Sequence, residues 1–97
     1  LEAYEYNNGN AIILDNLGQT YYMRGEYDQA HEIYQKLMAS NPSFSEAYYN
    51  YGLVLERKGE TANALEMVRK AKNYKLTYLS TVTAEEIDAA IMRLESI

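Results

Sequence analysis

Apolar residues recur along this chain at steps of three and four, the spacing that gathers side chains on one face of an α-helix. The first stripe consists of Ala11, Leu14, Leu17, Gly18 and Tyr21. A second stripe follows Gly25 and consists of Tyr27, Ala30, Ile33, Tyr34 and Leu37. Because Gly25 is typical of a helix C-terminus and Pro42 cannot continue a helix, the pattern predicts two helices joined by a tight turn.

The same arrangement returns 34 residues further along the chain. Gly18, Gly25 and Ala30 are matched at this offset by Gly52, Gly59 and Ala64. The second pair of stripes consists of Tyr48, Tyr51, Gly52 and Leu55, and of Ala64, Met67, Val68 and Ala71. A glycine within a helix costs about 1 kcal/mol relative to alanine, so Gly18 and Gly52 indicate close packing of a neighbouring helix. The other two glycines predict turns with positive φ.

Two segments carry the pattern of a capping box, in which a Ser or Thr precedes a Glu by three residues. One is Ser43–Glu46, before the second repeat, and the other is Thr83–Glu86. The second segment precedes a last apolar stripe, Ile87, Ala90, Ile91, Leu94 and Ile97. The pattern therefore predicts a fifth helix near the end of the chain.

These spacings resemble the tetratricopeptide repeat, whose 34-residue pattern reads W-x2-L-G-x2-Y, then A-x3-F, then P. The first copy matches directly at Leu17, Gly18, Tyr21, Ala30 and Pro42, with Tyr34 for Phe and Leu14 for Trp. The second copy matches at Gly52 and Ala64; it departs from the pattern at Tyr48, Tyr51, Leu55, Val68 and Leu76. The resemblance implies an all-α fold, a right-handed solenoid of two helix–turn–helix repeats with a C-terminal capping helix.

The resemblance also suggests how the chain is divided. We expect a single domain over residues 1–97, with repeat 1 at 11–44, repeat 2 at 45–78 and a capping helix at 79–97. Residues 1–10 align with the last turn of a preceding second helix, which suggests a longer array. An ordinary N-terminal tail is the alternative for these ten residues.

The composition narrows the classes of function. A formal charge of −5 and a pI near 4.8 argue against nucleic acid and against an anionic membrane surface. No apolar run reaches the ~18 residues of a membrane span. The chain has one histidine, His31, and no cysteine, so we expect no catalytic residue, no metal site and no cofactor. The acidic group Glu85, Glu86 and Asp88 falls in the first turn of a helix, where the helix dipole favours negative charge.

In the resembled family, the first helix of each repeat lines a concave groove that holds ligand peptides. The groove-facing positions then include Ile12 and Glu46, together with the site residues Asp15, Asn16, Gln19, Tyr22, Met23, Tyr49, Asn50, Leu53, Glu56 and Arg57. Tyrosine suits interfaces, and the Asn16 and Asn50 amides both donate and accept hydrogen bonds. The alternative is that these residues form a solvated wall.

We therefore interpret the chain as a non-catalytic protein–protein interaction module that binds a peptide or partner segment. Some family members clamp a C-terminal carboxylate, but Asp15 and Gln19 replace the lysine and asparagine such a clamp needs. A neutral or basic peptide is the better fit. The alternative is an assembly or scaffold element that self-associates as a homodimer through its uncovered N-terminal helical face.

Overall fold

A computed structural model describes the backbone of residues 2–76 and 82–96 and the side chains of residues 11–76 and 82–96. It contains five helices: α1 (Glu2–Met23), α2 (Tyr27–Ala39), α3 (Ser45–Arg57), α4 (Thr61–Ala71) and α5 (Ala84–Glu95). No strand occurs within these ranges, and the all-α prediction is confirmed. The helices fall into two compact units, Leu1–Pro42 with α1 and α2, and Ser43–Ile97 with α3, α4 and α5.

The first unit is a hairpin of α1 and α2. Gly25 has a φ of 77° in the turn, as the sequence predicts. Gly18 is pressed against α2, because a Cβ built at this position would overlap the ring of Tyr34. Close packing of a neighbouring helix at Gly18 is therefore confirmed, and the neighbouring group is the Tyr34 ring. The side chains of Ala30, Tyr34 and Leu37 are fully buried.

Helix α1 differs from its prediction in two respects. It runs without interruption from Glu2, so residues 2–10 share a helix with the first repeat and do not end a separate one. Nothing between residues 2 and 11 breaks a helix, because the segment has no proline and a single glycine is tolerated there. Leu17 is 39% exposed, because it lies about 100° around the helix from the buried Gly18.

The second unit repeats the hairpin with α3 and α4. Gly59 has a φ of 81° in its turn. A Cβ at Gly52 would overlap the Val68 side chain and lie 3.1 Å from the carbonyl oxygen of Ala64. The close packing predicted at Gly52 is confirmed, with the small residue Ala64 and the Val68 side chain opposite the glycine. The other buried apolar side chains of α3 and α4 are Ala47, Tyr48, Val54, Leu55, Val68 and Ala71.

The start of α3 corrects the capping box predicted at Ser43. The N-cap residue is Phe44, in an extended conformation, and no side chain caps the helix. Ser45 Oγ instead donates to the carbonyl oxygen of Ala71 at 2.8 Å, while its backbone N–H donates to the Lys75 oxygen at 2.9 Å. The serine next to the predicted cap therefore anchors α3 to the end of α4.

Helix α5 begins with the capping box that the sequence predicts. Thr83 Oγ1 accepts from the Glu86 N–H at 3.1 Å, and the Thr83 N–H donates to Glu86 Oε1 at 3.0 Å. The buried residues of α5 are Ile87, Ala90 and Leu94. Two ion pairs join α5 to α4: Arg69 with Glu95, and Lys72 with Asp88 at 2.8 Å. The predicted boundary between repeat 2 and the capping helix, at residues 78 and 79, lies outside the described residues.

Candidate functional site

The predicted groove face of α1 is partly open to solvent. Ile12, Asn16, Gln19 and Met23 follow one another at steps of four, three and four residues, so they share one side of the helix. Asn16 is exposed and Met23 is 81% exposed, while Gln19 is half-buried. The solvent-exposed amide of Asn16 and thioether of Met23 therefore lie on the same face of this helix.

Asp15 is buried, with only 8% of its surface exposed. Its carboxylate accepts a hydrogen bond from the Tyr34 hydroxyl at 2.6 Å. The Gln19 amide donates to the same hydroxyl at 3.3 Å. Two of the predicted groove residues thus contact α2 through Tyr34, which ties the register of α1 to that of α2.

Tyr22 is half-buried at the C-terminal end of α1. Its ring centroid lies 5.7 Å from that of Tyr27, with the planes inclined at 56°. Tilted ring pairs at this separation are attractive. The contact joins the C-terminal end of α1 to the first residue of α2.

On α3 the predicted residues fall into two groups. Tyr49 and Leu53 are half-buried and Arg57 is exposed, so each presents some surface. Glu46 and Asn50, one and two turns from the N-terminus, are buried. The accessible part of the α3 face therefore lies toward its C-terminal half.

Glu56 is held by α5. Its carboxylate accepts two hydrogen bonds from the Arg93 guanidinium, at 2.7 and 2.9 Å. The hydrogen bonds and charge of Arg93, with a smaller effect of Arg57, lower the pKa of Glu56 against the opposing effect of burial. The carboxylate is therefore ionised and neutralised locally, and it adds little negative potential to the α3 face.

The second unit contains a stacked pair of tyrosine rings that was not predicted from the sequence. The rings of Tyr48 and Tyr74 stack with centroids 4.6 Å apart and planes 7° apart, and Lys70 Nζ lies 5.5 Å from the Tyr48 centroid. Burial and then the Tyr74 hydroxyl raise the pKa of Tyr48. Burial and then Glu60 raise the pKa of Tyr51. These phenols stay neutral near pH 7 and serve as packing groups.

The open apolar surface of the molecule is concentrated on α1. Four of the five large apolar side chains that are exposed in the described residues belong to it: Ile12, Ile13, Leu17 and Met23. Exposed apolar patches commonly mark interaction sites. Within the same residues, no three His, Asp or Glu side chains are grouped as metal ligands would be. In the part of the chain that the structure describes, no helix combines the length and the hydropathy needed to cross a bilayer.

The chain is similar both to a family model and to a known protein. A family model described as the tetratricopeptide repeat matches residues 16–75. The chain is also 31% identical over 64 residues to the photosystem I assembly protein Ycf3 of Acaryochloris marina (strain MBIC 11017). That alignment covers 66% of this chain and 39% of the other protein, so the chain spans well under two thirds of its relative's length.

Proposed function

The chain belongs to the tetratricopeptide repeat family, whose repeats mediate protein–protein interactions, and we propose that it is a non-catalytic module that binds an extended peptide segment. Within each unit, the proposed contact surface is the open face of the first helix of the repeat, α1 in the first unit and α3 in the second. The observation that carries the proposal is the exposure of Asn16 and Met23 on one side of α1.

The chemistry of the α1 face suits a peptide backbone. The Asn16 amide both donates and accepts, so it pairs with an N–H and a C=O of an extended chain at once. Met23 is unbranched and polarisable, which lets it adapt to different apolar side chains of a ligand. Ile12 adds apolar area at the other end of the same face.

On α3 the proposed contacts are Tyr49, Leu53 and Arg57, which all present surface. Asn50 has little surface to offer a peptide, because it is buried. Asp15 and Glu56 are engaged with Tyr34 and Arg93, so we assign them to the support of the two faces and not to ligand contact.

The charge of the molecule favours a neutral or basic peptide. The formal charge of the chain is −5, and this net negative field attracts cations over a distance of about a Debye length. An acidic peptide would meet only Arg57 as a cation among the three α3 contacts. A basic peptide would be drawn to the molecule and then held by the apolar and amide contacts.

A random peptide library displayed on a surface tests this proposal. The variant is Asn16→Ala with Met23→Ala, and the matched control is Gln29→Ala with Lys36→Ala, two exposed residues of α2. We expect the same peptide motif to be enriched on the wild type and on the control. The variant should bind that motif at least about tenfold more weakly. Circular dichroism establishes that all three proteins are folded. Equal enrichment on all three, or none, would reject the proposed face.

A second candidate function is the assembly of a complex of several subunits. It is favoured by the similarity to a protein whose name describes it as an assembly protein. An assembly factor binds an intermediate and leaves the finished complex. The tagged chain would be purified at successive times after synthesis of the complex begins. The amount of subunits that co-purify with it should rise and then fall. Stable association with a finished complex would contradict this role.

A further inference from the structure

The second unit contains a cavity of about 190 Å³ where the start of α3, the end of α4 and the start of α5 meet. Its walls are mostly apolar and include Ala71, Tyr74, Leu76 and Ile87. The Tyr74 ring is held in place by its stack on Tyr48. All the residues that line the cavity belong to the part of the chain that the structure describes. None of them is a residue of the faces proposed for peptide binding.

The cavity has room for one apolar side chain of about the size of a phenyl ring. An engineered apolar cavity of about 150 Å³ in another protein binds benzene. Two of the walls are parts of the packed core, because Ala71 is 0% exposed and Ile87 is 3% exposed. Ser45 Oγ also donates to the carbonyl oxygen of Ala71 at 2.8 Å. The walls are therefore preformed, which lowers the cost of binding because little has to be ordered.

The repeat shows how this part of the second unit differs from the first. At the 34-residue offset, Ala71 corresponds to Leu37, and Lys72 corresponds to Met38. Leu37 is 0% exposed in the first unit. The second repeat thus has a methyl group where the first has a buried leucine side chain, and an ammonium group where the first has a thioether. These two differences place a small residue in the wall of the cavity and a charge at its rim.

Opposite charges lie side by side at the rim of the cavity. Lys72 Nζ is 2.8 Å from the carboxylate of Asp88, and the two side chains are 56% and 55% exposed. An ion pair with this exposure contributes little to stability, so it exchanges readily for charge pairs with a ligand. A ligand that joins an ammonium group and a carboxylate to one apolar group therefore complements both the rim and the walls.

We propose that this cavity binds a free α-amino acid with a large apolar side chain, such as phenylalanine or leucine. The side chain enters between Ala71, Tyr74 and Ile87. The carboxylate of the ligand pairs with Lys72, and its ammonium group pairs with Asp88. A residue within a peptide chain has neither charge, so the rim favours the free amino acid. The proposal goes beyond peptide binding and uses other residues.

Titration with L-phenylalanine, followed by the amide shifts of the isotope-labelled chain, tests the site. We expect saturable shifts at the residues that line the cavity, with a dissociation constant of about a millimolar for a ligand of this size. Ala84→Leu adds bulk at an exposed residue of the lining and should weaken binding at least about tenfold. Ala89→Leu is the matched control, because Ala89 is an exposed alanine of the same helix outside the lining. It should leave the dissociation constant unchanged, and circular dichroism establishes that both variants are folded.

A second probe tests the charges at the rim. N-acetyl-L-phenylalaninamide has the same side chain without either charge, and we expect it to bind about fivefold more weakly than L-phenylalanine. Lys72→Gln with Asp88→Asn should remove this difference between the two probes. The absence of saturable shifts with L-phenylalanine would overturn the site, as would binding that Ala84→Leu leaves unchanged. Equal affinities of the wild type for the two probes would overturn the amino acid as ligand and assign the cavity to a side chain of a peptide.

Discussion

The hydroxyl of Tyr34 joins the two helices of the first unit at a buried point. The ring fills the space that Gly18 leaves open, and the hydroxyl donates to Asp15 at 2.6 Å and accepts from Gln19 at 3.3 Å. A buried carboxylate is unfavourable unless it is hydrogen-bonded. The tyrosine therefore both packs against α1 and gives the buried Asp15 side chain a hydrogen-bond donor.

Replacing Tyr34 by phenylalanine should isolate the contribution of that hydroxyl. The ring remains, but the buried Asp15 carboxylate loses its short hydrogen bond, so we expect a loss of about 1–3 kcal/mol in the free energy of unfolding. Urea denaturation followed by circular dichroism measures it. Tyr27→Phe is the matched control, a half-buried tyrosine of the same helix, and it should change the free energy by less than the Tyr34 variant. Equal effects of the two substitutions would contradict the assigned role.

The contact of Gly52 with α4 gives a second prediction at this scale. Gly52→Ala gains helix propensity of about 1 kcal/mol, but its Cβ would overlap Val68, so we expect a net loss of about 1–3 kcal/mol. Val68→Ala removes the overlapping methyl group. The double variant should therefore be more stable than the sum of the two single losses predicts, by about 1 kcal/mol in a double-mutant cycle. Strict additivity would show that the glycine is not a packing residue.

The environment of a residue could be predicted from the sequence where a single local feature determines it. A glycine in mid-helix at two equivalent positions indicates close packing, and Gly18 and Gly52 are both closely packed. Asp15 was predicted to face the groove, because the resemblance places the groove on the side of the helix opposite the apolar stripe. Its burial depends on a hydroxyl 19 residues away in the chain, on Tyr34, and no local pattern contains that information.

At the scale of whole elements, the helix starts show which polar side chains cap and which do not. Thr83 and Glu86 form both hydrogen bonds of a capping box. Ser43 has the same sequence spacing to Glu46, but α3 begins one residue after Phe44 and no side chain caps it. The pattern of a Ser three residues before a Glu does not distinguish the two cases. Ser45, which bonds to the end of α4, provides the tertiary contact that decides the start of α3.

Two matched substitutions test this difference. Thr83→Ala removes the acceptor for the Glu86 N–H, so we expect a loss of about 1 kcal/mol in unfolding free energy. Ser43→Ala, at the exposed and non-capping serine, should be close to neutral. Thermal or urea unfolding of both variants measures the effects. A loss at Ser43 as large as at Thr83 would mean that the serine caps α3 in solution.

The ion pair between α3 and α5 should make stability depend on pH. Arg93 lowers the pKa of Glu56 below its ordinary value of 4.5. A depressed carboxyl pKa stabilises the folded state above the unfolded pKa, and this stabilisation is lost as the pH falls through the folded pKa. The wild type should therefore be more stable than Arg93→Gln at pH 7, by a small margin because Arg93 is half exposed.

Urea unfolding of both proteins across a pH series measures that margin, which should shrink below about pH 4.5. Glu56→Gln provides the control. In a Glu56→Gln background, Arg93→Gln should have an effect that no longer varies over this pH range. A margin that stays constant from neutral to acidic pH would show that Arg93 acts on α5 through packing and not through the Glu56 charge.

At the scale of the whole molecule, the sequence predicted the class of fold because the family pattern is a repeated one. Each position of the pattern occurs twice in the chain. Because equivalent positions carry the same residue, as Gly25 and Gly59 do, few alternatives to a helix–turn–helix repeat remain. The uses of the surfaces are less predictable, because a repeat pattern records packing positions. Leu17 belongs to the predicted apolar stripe of the first helix, and only the structure shows that this side chain is 39% exposed.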